Sequence, residues 1–372
     1  MKILEAVFGL SSGGAERVVI DLCNEFVRQG HEVVLLTMRD IDRYPELSFG
    51  VPFVSEKVRI LQLKAKYPTP SALLRLRRII REESPDVIHM NLNVLPFFFG
   101  FALKRSGIRF FHTLHNIAPA ACGYPGQKLL NRWFYRTGHI IPITISKSCD
   151  DSFREFYGFP AAAQIDNGRV RPKPTAEEHG VAAEIERLKQ NRDDIVFVQV
   201  GTVGPVKNQL TSVKIFEELR RKNRHAVLLL IGKKGQDAEY CTRVMECLPS
   251  NVHYLGERKN VADYLLHADY FLMPSRYEGL PISLLEAMAC GCIPICTAVG
   301  GIPDVIVDRK NGYLVPAEDE AALLNCIEQR VSVPETIDKE IVMNTYLDKY
   351  DISVCAGKYL SLFDGRGGTG TA

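Results

Sequence analysis

The chain has 372 residues, of which 46% are hydrophobic and 24% charged, and its formal net charge at pH 7 is +2. The length favours two domains, and the composition is typical of a globular protein and excludes a disordered or fibrous one. No apolar run is long enough to span a bilayer, and Glu5 interrupts the apolar N-terminus, which argues against a signal peptide. We therefore expect a cytoplasmic protein without a nucleic-acid partner.

The charge is unevenly distributed along the chain. Residues 1–160 contain 21 Lys and Arg against 15 Asp and Glu, whereas the remaining residues contain 25 against 29. A basic first half suits an anionic acceptor or a membrane surface, and it is equally consistent with a solvated basic face. The ten cysteines are irregularly spaced and include no Cys-x-x-Cys pair, which favours buried thiols over a metal site.

The first half of the chain alternates apolar strands with amphipathic helices. Helical patterns cover 15–28, 71–83 and 147–157, and the predicted strands are 3–8, 32–36, 58–63, 86–90, 110–114 and 140–145. Strands separated by crossovers of helix length predict a parallel sheet that is covered on both faces.

The pattern weakens at 158–180, where three prolines and the pair Asn167-Gly168 predict a linker or an inter-domain crossing. The alternation then resumes with strands at 195–200, 226–231, 252–255, 270–273, 293–295 and 313–315, and with helices at 209–221, 336–346 and 352–363. The glycine-rich residues 364–372 are expected to fray.

The chain is thus predicted to form two doubly wound α/β halves. We assign 1–165 to an N-terminal Rossmann-like domain and 166–350 to a C-terminal one. Residues 351–372 are assigned to a helix that packs back on the N-terminal domain and to a frayed tail. Ligands of such sheets bind beyond the carboxyl ends of the strands, so the predicted site is a central cleft between the halves.

A glycine-containing loop follows the first strand of each half. Gly13 and Gly14 precede a helix, where backbone N–H groups and the helix N-terminus favour an anion. Their spacing fits neither a dinucleotide fingerprint nor a Walker loop. In the second half Gly201 and Gly204 loosen the loop, and Lys207 opposes the dipole of the next helix unless an anion neutralises both. An ordinary turn and a solvated lysine are the alternatives.

The segment YEGLPISLLEA (277–287) places two acids around a helix start. Pro281 suits the first turn of a helix, and the amides near Gly279 and Leu280 would then point at an anion. Glu278 lies outside this start. Glu286 lies within an apolar helix, where a carboxylate needs hydrogen-bond donors such as ligand hydroxyls. A charge at the helix N-terminus and a partnered core acid are the alternatives.

His115 ends a predicted strand and is expected to point towards the cleft. The pattern His112-x-x-His115 is a weak metal signal, because residues three apart in a strand face opposite sides. The tripeptide Asp40-Ile41-Asp42 matches a short metal motif, but no further oxygen ligands stand near it in the sequence. We therefore expect no bound metal.

These motifs follow one another in a characteristic order: Gly13-Gly14-Ala15-Glu16, His115, Gly201 with Lys207-Asn208, Glu278-Gly279-Leu280-Pro281 with Glu286, and the segments 299–304 and 311–315. In this order, and at the ends of predicted strands, they resemble the nucleotide-sugar glycosyltransferases of family 4, also called glycosyl transferases group 1. The resemblance covers about residues 1–363.

The resemblance implies a GT-B fold, in which two Rossmann-like domains face a central cleft. It implies a glycosyltransferase of hexosyltransferase type that uses a nucleoside-diphosphate sugar, retains the configuration of the anomeric carbon, and needs no metal or other cofactor. The implied acceptor is a glycan or a lipid-linked sugar, in the synthesis of cell-surface polysaccharide.

The resemblance also implies a role for each motif. His115, near the reacting centre, Glu278, on hydroxyls of the donor sugar, and Lys207, on the diphosphate, are the implied catalytic residues. The implied donor-binding residues include Glu286, which would bind the ribose hydroxyls, and the loop residues Gly13, Gly14, Gly201, Thr202, Asn208, Gly279, Leu280 and Pro281.

Thr202 departs from the family pattern, which usually has an arginine after the glycine at position 201. Arginine is a bidentate phosphate partner that threonine cannot replace, although a nearby cation such as Arg276 could compensate. Thr202 thus leaves a catalytically idle binder of nucleotide sugars open as an alternative, and a nucleotide-sugar epimerase of similar fold, which would bind the same donor, is a second alternative.

The segment SALLRLRRIIREE (71–83) combines an apolar face with four arginines. Such a helix suits peripheral contact with an anionic membrane, here the inner face of the plasma membrane. A helix that covers the sheet and exposes a solvated basic side is the alternative. The sequence leaves the nucleobase, the sugar, the acceptor, the linkage and the oligomeric state open.

Overall fold

The computed structural model describes residues 1–11, 13–104, 107–333 and 337–365. The chain divides into two compact units, of which the first comprises Met1–Val170 together with the chain from Asp351 onward. The second unit is Arg171–Tyr350. Residues 166–170, which the sequence analysis assigned to the second domain, therefore lie in the first unit.

The strands and helices are numbered here in chain order. The strands are β1 Lys2–Val7, β2 Glu32–Thr37, β3 Arg59–Gln62, β4 Val87–Asn91, β5 Arg109–Leu114, β6 Ile141–Thr144, β7 Ala163–Gln164, β8 Ile195–Val200, β9 Ala226–Ile231, β10 Val252–Gly256, β11 Tyr270–Met273, β12 Ile293–Thr297 and β13 Tyr313–Val315. The helices are α1 Gly14–Arg28, α2 Pro70–Glu83, α3 Phe99–Ala102, α4 Gln127–Arg136, α5 Lys147–Tyr157, α6 Glu178–Leu188, α7 Gln209–Arg221, α8 Ala238–Glu246, α9 Val261–Leu266, α10 Ile282–Ala289, α11 Ile302–Val305, α12 Glu320–Ser332, α13 Lys339–Lys349 and α14 Ile352–Phe363.

The first unit is built on a parallel sheet with the strand order β3-β2-β1-β4-β5-β6-β7. Five of the six residues of β1 are buried, as expected for a central strand with helices on both faces. The strand order reverses at β1, which pairs with β2 on one side and β4 on the other. The carboxyl ends of β1 and β4 therefore flank the position where such sheets bind ligands.

The segment 158–180, predicted as a linker or an inter-domain crossing, contains the division between the two units after Val170, but its first part belongs to the first sheet. Residues Ala163 and Gln164 form β7, which pairs with β6, and the side chains of Ile165 and Asn167 that follow are buried. The helix α14 also belongs to the first unit, where the ring of Phe363 lies 4.7 Å from Phe111 and 6.0 Å from Phe26. The turn-forming residues Asn167 and Gly168 therefore follow a short strand of the first sheet and do not belong to a flexible linker.

The second unit repeats the doubly wound pattern with the parallel order β10-β9-β8-β11-β12-β13. Its central strands β9, β11 and β12 are buried throughout. The order reverses at β8, so the carboxyl ends of β8 and β11 flank the switch point of this sheet. Both units thus have the Rossmann-like architecture that the sequence predicts, whereas the cleft between them stays a prediction.

The predicted elements at the end of the chain fall partly outside the described residues. The predicted helix at 336–346 begins later, as α13 at Lys339, with Asp338 as its N-cap. Residue 336 and the glycine-rich residues 366–372 lie outside the described residues, so the predicted fraying of that tail stays a prediction.

Candidate functional site

In the second unit the predicted donor-binding segments follow β8 and β11, the two strands at the switch point. The loop after β8 carries Gly201, Thr202, Lys207 and Asn208, and the segment after β11 carries Glu278 to Pro281. The sequence predicted these segments separately, and the sheet order brings them to neighbouring strand ends.

An ion pair joins the two segments. Lys207 Nζ lies 2.6 Å from Glu278 Oε1, and the two side chains are only 25% and 10% exposed. The backbone of Lys207 is also fixed, because its carbonyl accepts a hydrogen bond of 2.8 Å from the side chain of Gln199 in β8. Charge-assisted hydrogen bonds between partly buried groups are stronger than those between exposed ones. The predicted phosphate cation and the predicted sugar carboxylate are therefore direct partners.

A glycine in the next loop holds the Glu278 segment in place. Gly300 has φ +56°, and a Cβ built there would lie 1.7 Å from the carbonyl oxygen of Glu278. The neighbouring N–H of Gly301 donates a hydrogen bond of 2.7 Å to the carbonyl of Gly279. Only a residue without a Cβ allows this close approach in this backbone conformation. The loop after β12 thus supports the segment that carries Glu278.

The helix α10 starts one residue later than the sequence predicts. Pro281 is its N-cap, with φ −74° and ψ 122°, and its carbonyl accepts from the N–H of Leu284 at 3.2 Å. Proline suits either position because its fixed φ is compatible with both. Glu286 lies five residues into α10 and is half-buried beside Cys290, whose pKa is raised to about 12 by burial and by the charge of Glu286.

The loop where the family arginine is missing contacts the backbone of two lysines. The side chain of Thr202 is exposed, and the N–H of the next residue, Val203, donates to the carbonyl of Lys233 at 2.9 Å. The adjacent Lys234 pairs with Val203 in an isolated bridge. The sequence analysis missed these two lysines, although they directly follow a fully buried strand in the segment GKKG (232–235), which is a usable signal.

Arg276, which the sequence suggested as a compensating cation, also lies at this loop. Its backbone N–H donates a hydrogen bond of 2.8 Å to the carbonyl of Val206, immediately before Lys207. Its side chain forms an exposed ion pair with Glu318, at 3.3 Å from Nε to Oε1. The backbone of Arg276 is thus fixed next to Lys207, while its side chain is paired with Glu318.

In the first unit His115 lies at the carboxyl end of β5, as predicted. Its Nε2 is 2.9 Å from Oδ1 of Asn91, which ends the neighbouring strand β4. Its Nδ1 is buried and has no hydrogen-bond partner among the described residues. Burial, and the nearby His89 and His112, lower the pKa of His115 to about 3, so the ring is neutral at physiological pH.

A buried polar cluster that the sequence analysis missed stands behind His115. Asn91 donates to Glu5, and Glu5 also pairs with His89, each at 2.9 Å. All three side chains are 0% exposed. Glu5 in an otherwise apolar first strand was the available signal, and its partners are more than 80 residues away along the chain.

The predicted anion site of the first unit, at Gly13 and Gly14, lies beside an acid of the protein itself. Gly13 is the N-cap of α1, and a Cβ placed on Gly13 would lie 2.3 Å from a carboxylate oxygen of Glu16. The hydroxyl of Ser11 donates to the other oxygen of Glu16 at 2.7 Å. A carboxylate in the first turn stabilises a helix, so Glu16 competes here with any external anion. Gly14 begins the helix beside it.

The residues behind the two weak metal signals are paired with groups of the protein itself. His112 points into the core, between the Tyr135 hydroxyl at 2.6 Å and the Leu92 carbonyl at 2.8 Å. Asp40 and Asp42 both face Lys64, at 3.4 Å and 3.5 Å. Within the described ranges, no group of three or more His, Cys, Asp or Glu side chains could hold a metal ion.

Two family models match the chain. The model described as Glycosyltransferase Family 4 matches residues 12–169, and the model described as Glycosyl transferases group 1 matches residues 181–341. The matches therefore cover most of both structural units, each unit by its own model.

Two curated relatives align with most of the chain. The sequence is 23% identical over 293 residues to the UDP-Gal:alpha-D-GlcNAc-diphosphoundecaprenol alpha-1,3-galactosyltransferase of Escherichia coli, covering 75% of this chain and 73% of that protein. It is 26% identical over 334 residues to the N-acetyl-alpha-D-glucosaminyl L-malate synthase of Bacillus anthracis, covering 83% and 82%.

Solved structures share the fold over nearly the whole length. A glycosyltransferase from Rickettsia africae ESF-5 superposes with a TM-score of 0.80 at 18% identity, covering 98% of both chains. The Anabaena protein HepE, solved in complex with UDP and glucose, superposes with a TM-score of 0.76 at 16% identity, covering 98% of this chain and 100% of that one.

Proposed function

The chain belongs to the glycosyltransferases of family 4, the glycosyl transferases group 1 family, and we propose that it moves a sugar from a nucleoside diphosphate to a glycan or lipid-linked acceptor with retention at the anomeric carbon. It is a glycosyltransferase with the GT-B fold, and its family and relatives assign it to cell-surface glycan synthesis. Those relatives are transferases, which favours transfer over the epimerase and over the idle binder.

The observation that carries the proposed donor site is the ion pair between Lys207 and Glu278 at the switch point of the second unit. A partly buried lysine beside the start of α10 presents positive charge together with helix amides, which suits a diphosphate. The carboxylate beside it accepts hydrogen bonds, which suits sugar hydroxyls. We assign the ribose hydroxyls to Glu286, which lies one turn into α10 and is half-buried.

The proposed reaction breaks the bond between the anomeric carbon and the phosphate oxygen and forms a bond from that carbon to the acceptor oxygen. The acceptor hydroxyl gives its proton to the departing phosphate oxygen on the same face of the sugar, and the nucleoside diphosphate leaves. Lys207 and the amides at α10 stabilise the negative charge that builds up on the phosphate. In this scheme they take the role that a divalent metal plays in other transferases.

The first experiment is a thermal-shift screen with nucleoside diphosphates and nucleotide sugars. A ligand that binds the native state stabilises it, by about 2.7 kcal/mol at a concentration one hundred times its Kd. We expect one nucleotide class to raise the melting temperature of the wild type, and Lys207→Ala to lose this response. Transfer from that donor should persist in EDTA. An epimerised donor formed without any acceptor would contradict the proposal, as would binding without transfer to any of a panel of acceptors.

We further propose peripheral contact with an anionic membrane, through α4 rather than through the predicted helix α2. In α2, Leu76 and Ile80 lie in the core of the first unit, which leaves Leu74, 66% exposed, as its exposed large apolar residue. By contrast, α4 exposes Leu129 at 72% and Trp133 at 47%, together with several basic residues, Lys128, Arg132 and Arg136. Exposed apolar and aromatic residues beside cations are typical of helices that lie on membranes.

The only tryptophan of the chain, Trp133, makes this contact directly measurable. We expect its fluorescence to shift to shorter wavelengths with vesicles that contain anionic lipid, and less so at high salt. Leu129→Glu should reduce co-sedimentation with these vesicles at least tenfold, whereas Leu74→Glu, at an equally exposed leucine of α2, should not. Equal losses in both variants, or a Trp133 signal that depends on protein concentration alone, would contradict a membrane contact at α4.

None of the helices in the described part of the chain has the length and apolarity of a membrane span. The contact that we propose for α4 is one with the membrane surface. The cytoplasmic location and the position at the inner face of the plasma membrane are part of this proposal.

A further inference from the structure

A continuous chain of buried side chains lies behind His115. It runs through four elements of the first unit, namely β1, β4, β5 and α14. Every member is at most 1% exposed, and the members are Glu5, His89, Asn91, Thr113 and Tyr359. Buried polar groups are costly unless they are all hydrogen-bonded, so the arrangement of protons in this chain is tightly constrained.

The end near His115 allows one assignment. The amide nitrogen of Asn91 donates to Glu5 Oε2 at 2.9 Å, so its amide oxygen faces Nε2 of His115, also at 2.9 Å. A carboxylate oxygen and an amide oxygen only accept hydrogen bonds. The proton of the neutral His115 ring therefore lies on Nε2, and Nδ1 carries the lone pair.

The far end of this network is also fully paired. Burial raises the pKa of Tyr359 well above its usual range, so the phenol keeps its proton, and its oxygen lies 3.0 Å from the hydroxyl oxygen of Thr113. The Thr113 hydroxyl lies 2.7 Å from His89 Nε2, and His89 Nδ1 donates to Glu5 Oε1 at 2.9 Å. Glu5 thus accepts from His89 on one oxygen and from Asn91 on the other.

Nδ1 of His115 is the exception in this satisfied network. It is buried and has no hydrogen-bond partner among the described residues. Since it carries a lone pair, it needs a donor, and sugar hydroxyls are donors. A merely structural histidine would have both nitrogens paired, as His112 on the other face of β5 has.

We propose that Glu5 and Asn91 are positioning residues that hold His115 in its Nε2–H form, so that its Nδ1 accepts a hydrogen bond from a hydroxyl of the sugar substrate. This inference rests on the proposed function. His115 then orients a hydroxyl without removing its proton, because a ring with a pKa near 3 is a weak base. The acceptor proton accordingly goes to the departing phosphate.

The tautomer can be read from long-range proton–nitrogen NMR spectra of the full chain labelled with ¹⁵N at histidine. The His115 signal is assigned by its loss in His115→Gln. We expect the wild type to show Nε2–H between pH 5.5 and 8. A wild-type ring in the Nδ1–H form, or a protonated ring at pH 7, would overturn the proposal.

Glu5→Gln tests the role of the positioning pair. The new amide can keep its oxygen towards His89 and turn its nitrogen towards Asn91, which makes Asn91 rotate and present its own nitrogen to His115. We expect His115 to switch to Nδ1–H and kcat to fall at least tenfold, with the KM for the donor within about twofold of the wild type.

Tyr359→Phe is the matched control, because it removes a hydroxyl from the far end of the same chain and leaves Glu5, Asn91 and His115 intact. Its tautomer and kcat should stay as in the wild type, even if its melting temperature falls. An equal loss of kcat in both variants, with an unchanged tautomer, would show a structural role only. The wild-type spectrum needs neither donor nor acceptor, so its result is independent of the thermal-shift screen.

Discussion

At the scale of single residues, the pairing of Lys207 with Glu278 would couple the proposed binding of phosphate to the proposed binding of sugar. A diphosphate that contacts Lys207 competes with the Glu278 carboxylate, which lies 2.6 Å from the Lys207 ammonium group. Once the lysine turns to phosphate, the carboxylate can accept from sugar hydroxyls. We therefore expect the two catalytic residues predicted separately from the sequence to act as one exchangeable pair.

This competition predicts that Glu278→Gln binds a nucleoside diphosphate more tightly but transfers sugar more slowly than the wild type. Without the competing charge, Lys207 should bind a bare nucleoside diphosphate more tightly, by about 1 kcal/mol or roughly fivefold. The same variant should lose most of its transfer activity, because an amide holds the sugar hydroxyls less well. Isothermal titration and product assays measure the two effects. A weaker affinity for the nucleoside diphosphate would show that Glu278 does not compete for the lysine.

Thr202→Arg should restore the missing phosphate partner. The position is exposed, and its loop contacts the backbone of Lys233. A charge-assisted hydrogen bond adds about 1.5–3 kcal/mol, so we expect nucleoside diphosphates to bind at least tenfold more tightly. Thr202→Gln, of comparable length without the charge, is the control. An unchanged affinity would indicate that cations already present, such as Lys207 and Arg276, neutralise the diphosphate, so that a further arginine adds nothing.

The buried His112 makes the first unit sensitive to acid. Burial lowers its pKa to about 4 in the folded protein, against about 6.5 in the unfolded chain. Its contribution to stability is therefore complete above pH 6.5 and is lost as the pH falls towards 4, by up to about 1.4 kcal/mol per unit. Chemical denaturation of His112→Gln should show a smaller loss of unfolding free energy over this range. The exposed His179→Gln should behave as the wild type, and a wild-type slope in His112→Gln would contradict the assignment.

At the scale of elements, the sequence predicts the strands well because central strands of parallel sheets are continuous apolar runs. The bounds of β8, β9 and β11 agree with the prediction at both ends. The helix α4 was not predicted, because its buried face includes Gln127 and Asn131 while two leucines and a tryptophan face outward. Periodicity reports an apolar side but not whether that side is buried.

The site was predictable to the extent that its residues stand at strand ends. Sequence order places Lys207 and Glu278 after two strands, and only the sheet order reveals that these strands are neighbours. The pairing of Glu5 with His89 depends on the register between β1 and β4, in which these two residues are opposite each other. Register between strands 84 residues apart is a property of the whole sheet, which a single sequence does not indicate.

Gly300 provides a test of how one loop supports another. Gly300→Ala would place a methyl group against the carbonyl of Glu278, so we expect the Glu278 segment to shift. Donor affinity should fall at least tenfold, and the free energy of unfolding should fall by about 1–3 kcal/mol. Gly30→Ala is the control, because Gly30 also has a positive φ but has nothing within 4 Å of the added atom. Equal effects in both variants would attribute the loss to backbone strain alone.

At the scale of the whole molecule, the first unit is assembled from two distant parts of the chain. The N-terminal part ends at Val170, and the chain rejoins the unit at Asp351. The backbone of Arg169 forms an isolated parallel β-bridge with that of Asp351. The side chain of Arg169 forms a buried ion pair with Asp21 of α1. Gly168 allows this arrangement, since a Cβ there would lie 2.5 Å from Cβ of Cys355. The last helix is thus an integral layer of the first unit.

A variant that ends after Tyr350 should therefore lose the fold of the first unit. It lacks Tyr359, Leu360 and Phe363, which are at most 8% exposed, and it uncovers the fully buried Phe26 and Phe111. At about 1.5–3 kcal/mol for each buried side chain, the loss is comparable with the roughly 5–15 kcal/mol that stabilises a whole protein. We expect early thermal unfolding of this unit.

Limited proteolysis distinguishes this result from general misfolding. In the shortened variant the first unit should be digested, whereas a fragment close to 171–350 should resist, because the second unit keeps its sheet and its own core. A variant that ends after Gly365 retains all of α14 and should melt as the full chain does. A protease-resistant first unit in the variant ending after Tyr350 would contradict this prediction. It would mean that the sheet formed by β1, β4 and β5 is stable without α14 packed against it. In that case the hydrogen-bonded series of buried side chains from Tyr359 to Glu5 would be unnecessary for the fold, because Tyr359 could be removed at little cost in stability.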